Sequence, residues 1–381
     1  MRFFHLADLH IGKIVNGYSM IEDQLVVLQQ VITLIKEHHP DAVILAGDVY
    51  DRRNPPVEAV RIFSDFISEV VLSEGVPVLA IGGNHDSGER LNFGAELLSQ
   101  AGFYLAGSFS WPVPKVRLFD ADGPVDIYLL AYADLALIRE MCPETQGMDY
   151  SEAMSWVITH ISLDAPRNIL VAHGMVAGDL PPETSDSERT LSVGGTDSWP
   201  VQLTSSFSYT ALGHLHRAQK VTFEKVQYAG SLLAYSFSEE GQQKVVLEVD
   251  MSSDGSIGIN RLPLNASHPL RTVRGELNNI LENAPLSDYR EDYLQVILTD
   301  KGELIEPMQR LKQAFPRIML LKRDLQNTDE TMSEKNLPLS ENKDPMGLFC
   351  DFYKLVTGEE ADNKRQQVMQ QVLERLERRN L

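Results

Sequence analysis

The sequence predicts an α/β protein with a two-sheet core, followed by a small strand/helix unit and a helical tail. Three observations carry this. Over the first hundred residues, short apolar runs alternate with amphipathic segments. That is the rhythm of βαβ units and of a largely parallel sheet covered on both faces. Beyond residue 103 the runs become shorter and fewer helical segments separate them, which a second sheet packed on the first accommodates. Near residue 268 the pattern restarts, and from 324 a polar stretch leads to two short amphipathic segments.

Taken in order, MRFFHLA reads as a strand, and residues 21–37 place Leu25, Leu28, Val31, Ile32 and Ile35 at helical spacing. DAVILAG is a strand, VEAVRIFSDFISEVVL a helix, VPVLAIGG a strand and ERLNFGAELLSQ a helix. The later strands are KVRLF, DIYLLAY, NILVAHG, YTALGHLH and KVVLEVD, with one helix near 151–162. RTVRGELNNILENA, YLQVILTD, ELIEPMQRLKQAF and RIMLLKR make the small unit, and DLQNTDETMSEKNLPLSENKD reads as a tether. In the tail, Asp344-Pro345 opens a helix that Gly358 closes, with Phe349, Phe352, Tyr353 and Val356 on one face. The last helix carries Val368, Met369, Val372, Leu373 and Leu376. The expected division is 1–267, 268–323, 324–344 and 345–381. No internal repeat and no GxxxxGK[ST] loop occurs, so ATP binding by this chain is not expected.

A formal charge of −20 repels nucleic acid on average and argues against an autonomous nucleic-acid binder, while clustered carboxylates also suit metal ions. The charge is uneven: residues 1–269 hold 17 basic and 34 acidic residues, against 9 and 8 in residues 270–323. Two cysteines, Cys142 and Cys350, provide no disulfide framework, and the amino terminus lacks a signal peptide's cleavage site. No apolar run approaches the roughly 20 residues of a membrane span. A cytoplasmic protein without membrane attachment is expected.

Five short signals share one design: Asp8-Leu9-His10, Gly47-Asp48, Gly83-Asn84-His85-Asp86, His173-Gly174 and Gly213-His214-Leu215-His216. Each follows an apolar strand, and the carboxyl ends of parallel strands converge on one rim where ligands bind. Singly they are weak, since an aspartate after a strand commonly caps the next helix and Asn-His-Asp serves in tight turns. Together they offer Asp8, His10, Asp48, Asn84, His173, His214 and His216, an all-nitrogen-and-oxygen set. Seven groups exceed a tetrahedral zinc site and suit two six-coordinate ions sharing a carboxylate, for which Asp48 is placed centrally. Of the remaining histidines, His5 reads as core or as a neighbour of the site, and His38 and His39 as a helix end. His160 and His268 fit no pattern.

The series DLH, GDVYDR, GNHD, VAHG and GHLH resembles the calcineurin-like metallophosphoesterase superfamily. GDVYDRRNPP, SDSERTLSVGG, YTALGHLHRAQ and YAGSLLAYSFSEE are similar to the SbcD-type nuclease subunits of bacteria, and this likeness covers nearly the whole chain. The resemblance implies αββα layers, a small α/β capping domain that recognises DNA, and a partner-binding tail. It implies that Asp8, His10, Asp48 and His216 hold one divalent ion, and that Asp48, Asn84, His173 and His214 hold the other. The ion that the resemblance implies is manganese. The resemblance makes His85 a catalytic residue that contacts phosphate without holding metal, and Asp86 the group that orients His85. Archaeal and eukaryotic relatives carry a histidine where this chain has Asp51, which leaves that position's part in proton delivery open here.

The implied activity is that of a two-metal phosphodiesterase, a 3′–5′ exonuclease and endonuclease acting at DNA ends and hairpins in recombination, repair and replication. The implied partner is an SbcC-like coiled-coil ATPase, with a homodimer inside a heterotetramer. Pairing would use helices near 57–72 and 88–100, with Val57, Ile62, Phe63, Phe66 and Ile67 available. Candidate DNA contacts are Arg52, Arg53, Arg271, Arg274, Arg310, Lys312, Arg317, Lys322 and Arg323. Two other classes stay open: a metallophosphoesterase acting on nucleotides or other small phosphoesters, and a non-catalytic scaffold, which would require lost ligands where none is missing.

Overall fold

The computed structural model describes residues 1–188, 197–324, 345–357 and 360–377. The tether from 325 to 344, with Asp344, Gly358 and the RTLSVGG part of one quoted string, lies outside the described residues. Strand β1 (Arg2–Leu6) is buried from Phe3 to Leu6, and the apolar runs β2 (Ala42–Ala46), β3 (Val78–Ile81) and β4 (Phe103–Ala106) follow beside it in parallel. Helices α1 (Ile21–His38) and α2 (Val57–Ser68) make the first two crossovers. Strands this apolar need cover on both faces.

The expected helix over 89–100 is instead two short pieces, α3 (Gly88–Leu91) and α4 (Ala95–Ser99). They break at Gly94, whose φ of +72° no helix accommodates. The inward face of α1 also differs from the expected one: Leu25 is exposed, whereas Asp23 and Gln24 are buried. Both polar side chains are bonded, Asp23 to the His268 main-chain N–H and to the Tyr293 hydroxyl, Gln24 to the loop after β1. Of the apolar residues offered for pairing, Ile62, Phe63, Phe66 and Ile67 are buried in the chain's own fold, and only Val57 is exposed.

The second sheet contains β5 (Lys115–Asp120), β6 (Gly123–Leu130), β7 (Arg167–His173), β8 (Tyr209–Gly213), β9 (Gln219–Val221) and β10 (Phe223–Tyr228), in the order β9-β10-β8-β7-β6-β5. Its inner strands β6, β7, β8 and β10 are parallel. The chain then returns to the first sheet with β11 (Val245–Met251) and β12 (Ile257–Pro263). KVVLEVD therefore does not belong to the second sheet: β11 pairs antiparallel with β1 and covers an edge that would otherwise stand open. Inward residues of the two sheets, among them Phe3, Ile44, Leu79, Ile127, Val171 and Ala211, form one core. A second core lies on the outer face of the second sheet, where α5 (Tyr150–Thr159) packs Val157 and Ile158 with Leu170 and Trp199. The layers are helix, sheet, sheet, helix.

The chain divides into two compact units, residues 1–272 with 291–294, and 273–290 with 295–381. The second carries most of a three-stranded sheet of β13 (Leu270–Gly275), β14 (Tyr293–Leu298) and β15 (Ile318–Arg323), with β14 in the middle. Helices α6 (Leu277–Asn283) and α7 (Pro307–Ala314) bury Leu277, Ile280 and Leu311. The tail contains α8 (Pro345–Thr357) and α9 (Asn363–Glu377), and the Arg365 guanidinium sits 5.3 Å from the centre of the Tyr353 ring.

One ion pair in the second sheet is open to test. Buried Arg167 donates from both terminal nitrogens to Asp120, at 2.8 and 2.5 Å, and its guanidinium holds the Asp120 carboxyl well below the ordinary range. Asp120→Ala leaves the arginine charge without its carboxylate and should cost about 2–3 kcal/mol at neutral pH. Because the folded carboxyl titrates below its unfolded value, its contribution is complete above about pH 4 and is lost as pH falls. Denaturant melts between pH 7 and 3 should show the variant's deficit shrinking with acidification; a constant deficit would contradict the assignment.

Candidate metal centre

Every loop of the five begins where a central strand ends. Asp8 and His10 follow β1, Asp48 follows β2, and Asn84, His85 and Asp86 follow β3. His173 is the last residue of β7, and His214 and His216 follow β8. Four of these residues have left-handed backbone: Asp8, His10, Asp48 and His214, at φ of 52°, 45°, 49° and 110°. Such conformations in residues other than glycine cost on the order of 1–3 kcal/mol each and persist only where the surroundings impose them. Here the loops fasten one another, with Asp8 N–H donating to the Gly47 carbonyl at 3.1 Å and His10 N–H to that of Asp48 at 3.0 Å. Gly213 packs so closely on β2 that a Cβ there would collide with the Ala46 carbonyl oxygen.

A side chain with no signature in the sequence completes the fastening. Gln24 accepts from Gly12 N–H at 3.0 Å and donates to the His10 carbonyl at 2.8 Å. The Tyr235 hydroxyl, 3.0 Å from the Gln24 amide nitrogen, donates to the Leu9 carbonyl at 2.6 Å. The loop carrying Asp8 and His10 is thus held by residues about 15 and more than 200 positions away.

The side chains converge. His10 Nε2 stands 3.1 Å from His216 Nε2 and 3.7 Å from Asp48 Oδ2. His173 Nε2 is 3.5 Å from Asp48 Oδ2 and 2.9 Å from Asn84 Oδ1, and its Nδ1–H donates to the Ala46 carbonyl at 2.8 Å. Among the described residues three groups could hold an ion: Asp8, His10 and His216; Asp8, Asp48 and His173; and His10, Asp51 and His85. Asp8 is common to the first two groups, while Asp48 reaches the imidazoles of both. The His214 main-chain N–H donates to both oxygens of Asp8 at 3.0 Å, and its ring lies 5.5 Å from that of His173.

His85 and Asp86 are arranged differently from expectation. The Asp86 carboxylate accepts from the N–H groups of Val49, Tyr50 and Gly83, each at 3.0 Å, so it fastens the Asp48 loop to its own. The acceptor at His85 Nδ1 is the Asp51 carbonyl, 2.7 Å away. The Asp51 carboxylate is paired with Lys13 at 2.7 Å.

Burial and charge divide the cluster. Burial pushes the His214 imidazole down to about 3 and that of His10 well below its ordinary value, so both are neutral lone-pair donors at neutral pH. His173 escapes the same burial because Asp48 raises it to about 9. Burial also pushes the Asp8 carboxyl up to about 7, against the pull of the nearby imidazoles. Two imidazole nitrogens bound at a right angle to one ion stand about 3 Å apart, the spacing His10 and His216 already have. His10 Nδ1 is buried without a hydrogen-bond partner.

A family model described as calcineurin-like phosphoesterase matches residues 1–217, and one described as the type 5 capsule protein repressor C-terminal domain, SbcD_C, matches residues 266–357. Among solved structures, GAP50, the anchor in the inner membrane complex of Plasmodium, is 11% identical with a TM-score of 0.37, covering 84% of this chain and 96% of its own. A dimetal phosphatase from Danio rerio is 13% identical, at 0.39, covering 70% and 99%. The protein TT1561 of Thermus thermophilus is 12% identical, also at 0.39, covering 68% and 98%. Likenesses this distant bear no weight for chemistry.

Asp48→Ala should empty the centre of divalent ions and abolish phosphodiester hydrolysis. His85→Ala should keep its ions while turnover falls about 10²–10⁴-fold, the usual worth of placed acid–base help. Metal analysis after loading, with hydrolysis of bis(p-nitrophenyl) phosphate, separates the two. Loss of ions from the His85 variant would move His85 into the ion-holding set.

Proposed function

The chain belongs to the calcineurin-like phosphoesterase family, as a metallophosphoesterase of the SbcD type, and from that premise we propose that it is the nuclease subunit of a DNA-processing complex. The observation that carries this reading is one chain in which buried Asp/His clusters at a strand-end rim precede a match to SbcD_C. The substrate is DNA, cut at phosphodiester bonds near ends and hairpins in recombination and repair. The ions are two divalent cations, manganese by preference. Asp8, His10, Asp48 and His216 hold one and Asp48, Asn84, His173 and His214 the other.

When bound, such a pair of ions supplies Lewis acidity to a phosphoryl group and acidifies water. The protein supplies position and proton transfer. His85 Nδ1–H donates to the Asp51 carbonyl, which fixes the ring, and Nε2 faces the cluster 3.9 Å from Asp48 Oδ2. Protonated there, the imidazole donates to the departing oxygen. Asp86 acts one step removed, by holding the Asp48 and Asn84 loops in register. Strained, mutually bonded loops keep the donors in place without reorganisation, which is where enzymes of this kind gain their rate.

Several candidate arginines already have work within the second matched region. Arg274 pairs with Asp324, Arg310 donates to Asn278 at 2.9 Å, and Arg323 donates to the Asp300 and Gly302 carbonyls. Arg271 pairs with Asp292 at 2.7 Å. The reading places DNA contact first at Arg52 and Arg53, beside the centre, with Arg52 also 3.7 Å from the Asp51 carboxylate, and then at Lys312 and Lys322. Residues 1–267 serve as nuclease domain, 268–323 as capping and DNA-recognition domain, 324–344 as linker and 345–381 as partner-binding tail. For the homodimer, Val57, Val60, Leu72, Phe93, Leu97 and Leu98 are the exposed large apolar residues over 57–72 and 88–100. Among the described residues no helix is long and apolar enough to cross a membrane, and a cytoplasmic site of action is proposed.

Two experiments test this. Linear duplex and hairpin DNA should be cut with Mn²⁺ and not with EDTA, more efficiently when an SbcC-like ATPase is present; hydrolysis of nucleotides with no action on DNA would instead favour the small-phosphoester reading. In the tail, Leu348, Phe352, Val368 and Val372 are exposed on amphipathic helices, a form that docks in grooves of other proteins. A chain ending at residue 330 should fold, bind both ions and cleave simple phosphodiesters, yet fail to capture the ATPase. Full-strength co-purification of the truncated chain would remove that role from the tail.

A further inference from the structure

His216 is gripped by residues that lie outside all five loops. Its Nδ1 stands 2.7 Å from the Ser187 hydroxyl and 3.2 Å from Glu239 Oε1. The Ser187 hydroxyl donates onward to the same Glu239 oxygen at 2.5 Å, and the Ser185 hydroxyl reaches it at 3.2 Å. Glu239 is fully buried, and its other oxygen accepts from Lys244 Nζ at 2.6 Å. Lys244 is itself buried and also donates to the His216 carbonyl at 2.9 Å and to Ser231 at 3.0 Å. On the main-chain side, the His216 N–H donates to Glu188 at 2.7 Å.

These contacts run in one chemical direction. The Lys244 ammonium fixes the Glu239 carboxylate, the carboxylate accepts the hydrogen bond that the Ser187 hydroxyl donates, and the Ser187 oxygen is then an acceptor for His216 Nδ1–H. With the proton fixed on Nδ1, the lone pair sits on Nε2, the atom that faces His10. Ser187 and Glu188 belong to a strap, residues 179–188, fastened by polar bonds. Asp179 N–H donates to Thr222, Glu183 N–H to Gln219, and Asp186 N–H to Ser238. Its one large apolar side chain, Leu180, is exposed.

We propose that Ser187, Glu239 and Lys244 are positioning residues for His216, and that docking of the 179–188 strap and binding of the ion at Asp8, His10 and His216 reinforce each other. A buried carboxylate and ammonium are costly to place and are kept here where they set the orientation of one imidazole. Linkage then requires that whatever the strap contributes to ion affinity, the ion returns to strap docking. The inference rests on reading this rim as a two-ion centre.

The test uses the full chain and Mn²⁺ alone, followed by equilibrium dialysis and electron paramagnetic resonance. The parent should bind two ions. Ser187→Ala should weaken one of them about 10–100-fold and leave the other unchanged, the effect expected for losing an imidazole's outer partner. Ser187→Thr, which keeps the hydroxyl, should restore the affinity. Glu239→Gln with Lys244→Met, which removes both buried charges together, should behave as Ser187→Ala. Mn²⁺ should slow hydrogen exchange at the amides of Ser185, Asp186 and His216 in the parent and not in Ser187→Ala. Parental affinity for both ions in Ser187→Ala overturns the positioning role while leaving the two-ion reading intact. A parent that binds no Mn²⁺ overturns both.

Discussion

An ionised carboxylate inside a protein is costly unless hydrogen bonds and opposite charge compensate it, and Asp48 occupies such a position. Its compensation is drawn from both sheets: the His85 N–H at 2.9 Å, and the imidazoles of His10, His85 and His173 around it. Even against its burial, these groups hold the Asp48 carboxyl well below its ordinary range. The arrangement works only while β2, β3 and β7 end at one level. Packing of the two sheets and the geometry of the rim are therefore one problem, and the left-handed turns at Asp8, His10, Asp48 and His214 are what its solution requires of the backbone.

That constraint explains which parts of the molecule were legible in the sequence. Residues such as Asp48 and His173 sit beside glycines at the ends of apolar strands, so residue type, position and periodicity agree. Gln24 shows the opposite case. It lies on a helix where Leu25 has the more apolar side chain, and only the loop after β1, which needs its amide, turns that face inward. Asp86 was placed by its neighbour in the sequence and belongs instead to the backbone of two loops. KVVLEVD has the composition of a buried strand, but composition does not say which sheet has an open edge.

The role of the residues behind His216 was illegible for another reason, although Ser187 and Glu239 fall within strings that carry the family likeness. Ser187, Glu239 and Lys244 are types found all over protein surfaces, and they meet His216 from 23 to 29 positions away along the chain. The same holds for Tyr235, whose hydroxyl closes on Leu9 from the far end of the domain. A buried polar network leaves no periodic trace, because satisfying each donor and acceptor depends on distance in space and not on spacing along the chain.

The return of β11 to the edge of β1 also has a bearing on how the protein comes into being. During synthesis every residue read as holding an ion has been made once the chain reaches His216, yet β1 then still has an unpaired edge, and Glu239, Lys244 and Tyr235 do not exist. The most amino-terminal strand must wait for one that begins at Val245, a long-range closure of the kind that slows folding and leaves strand edges exposed meanwhile. A nascent chain of this protein thus passes through a stage in which the donors are complete but their support is not, and any cation captured then would be held by unbraced loops.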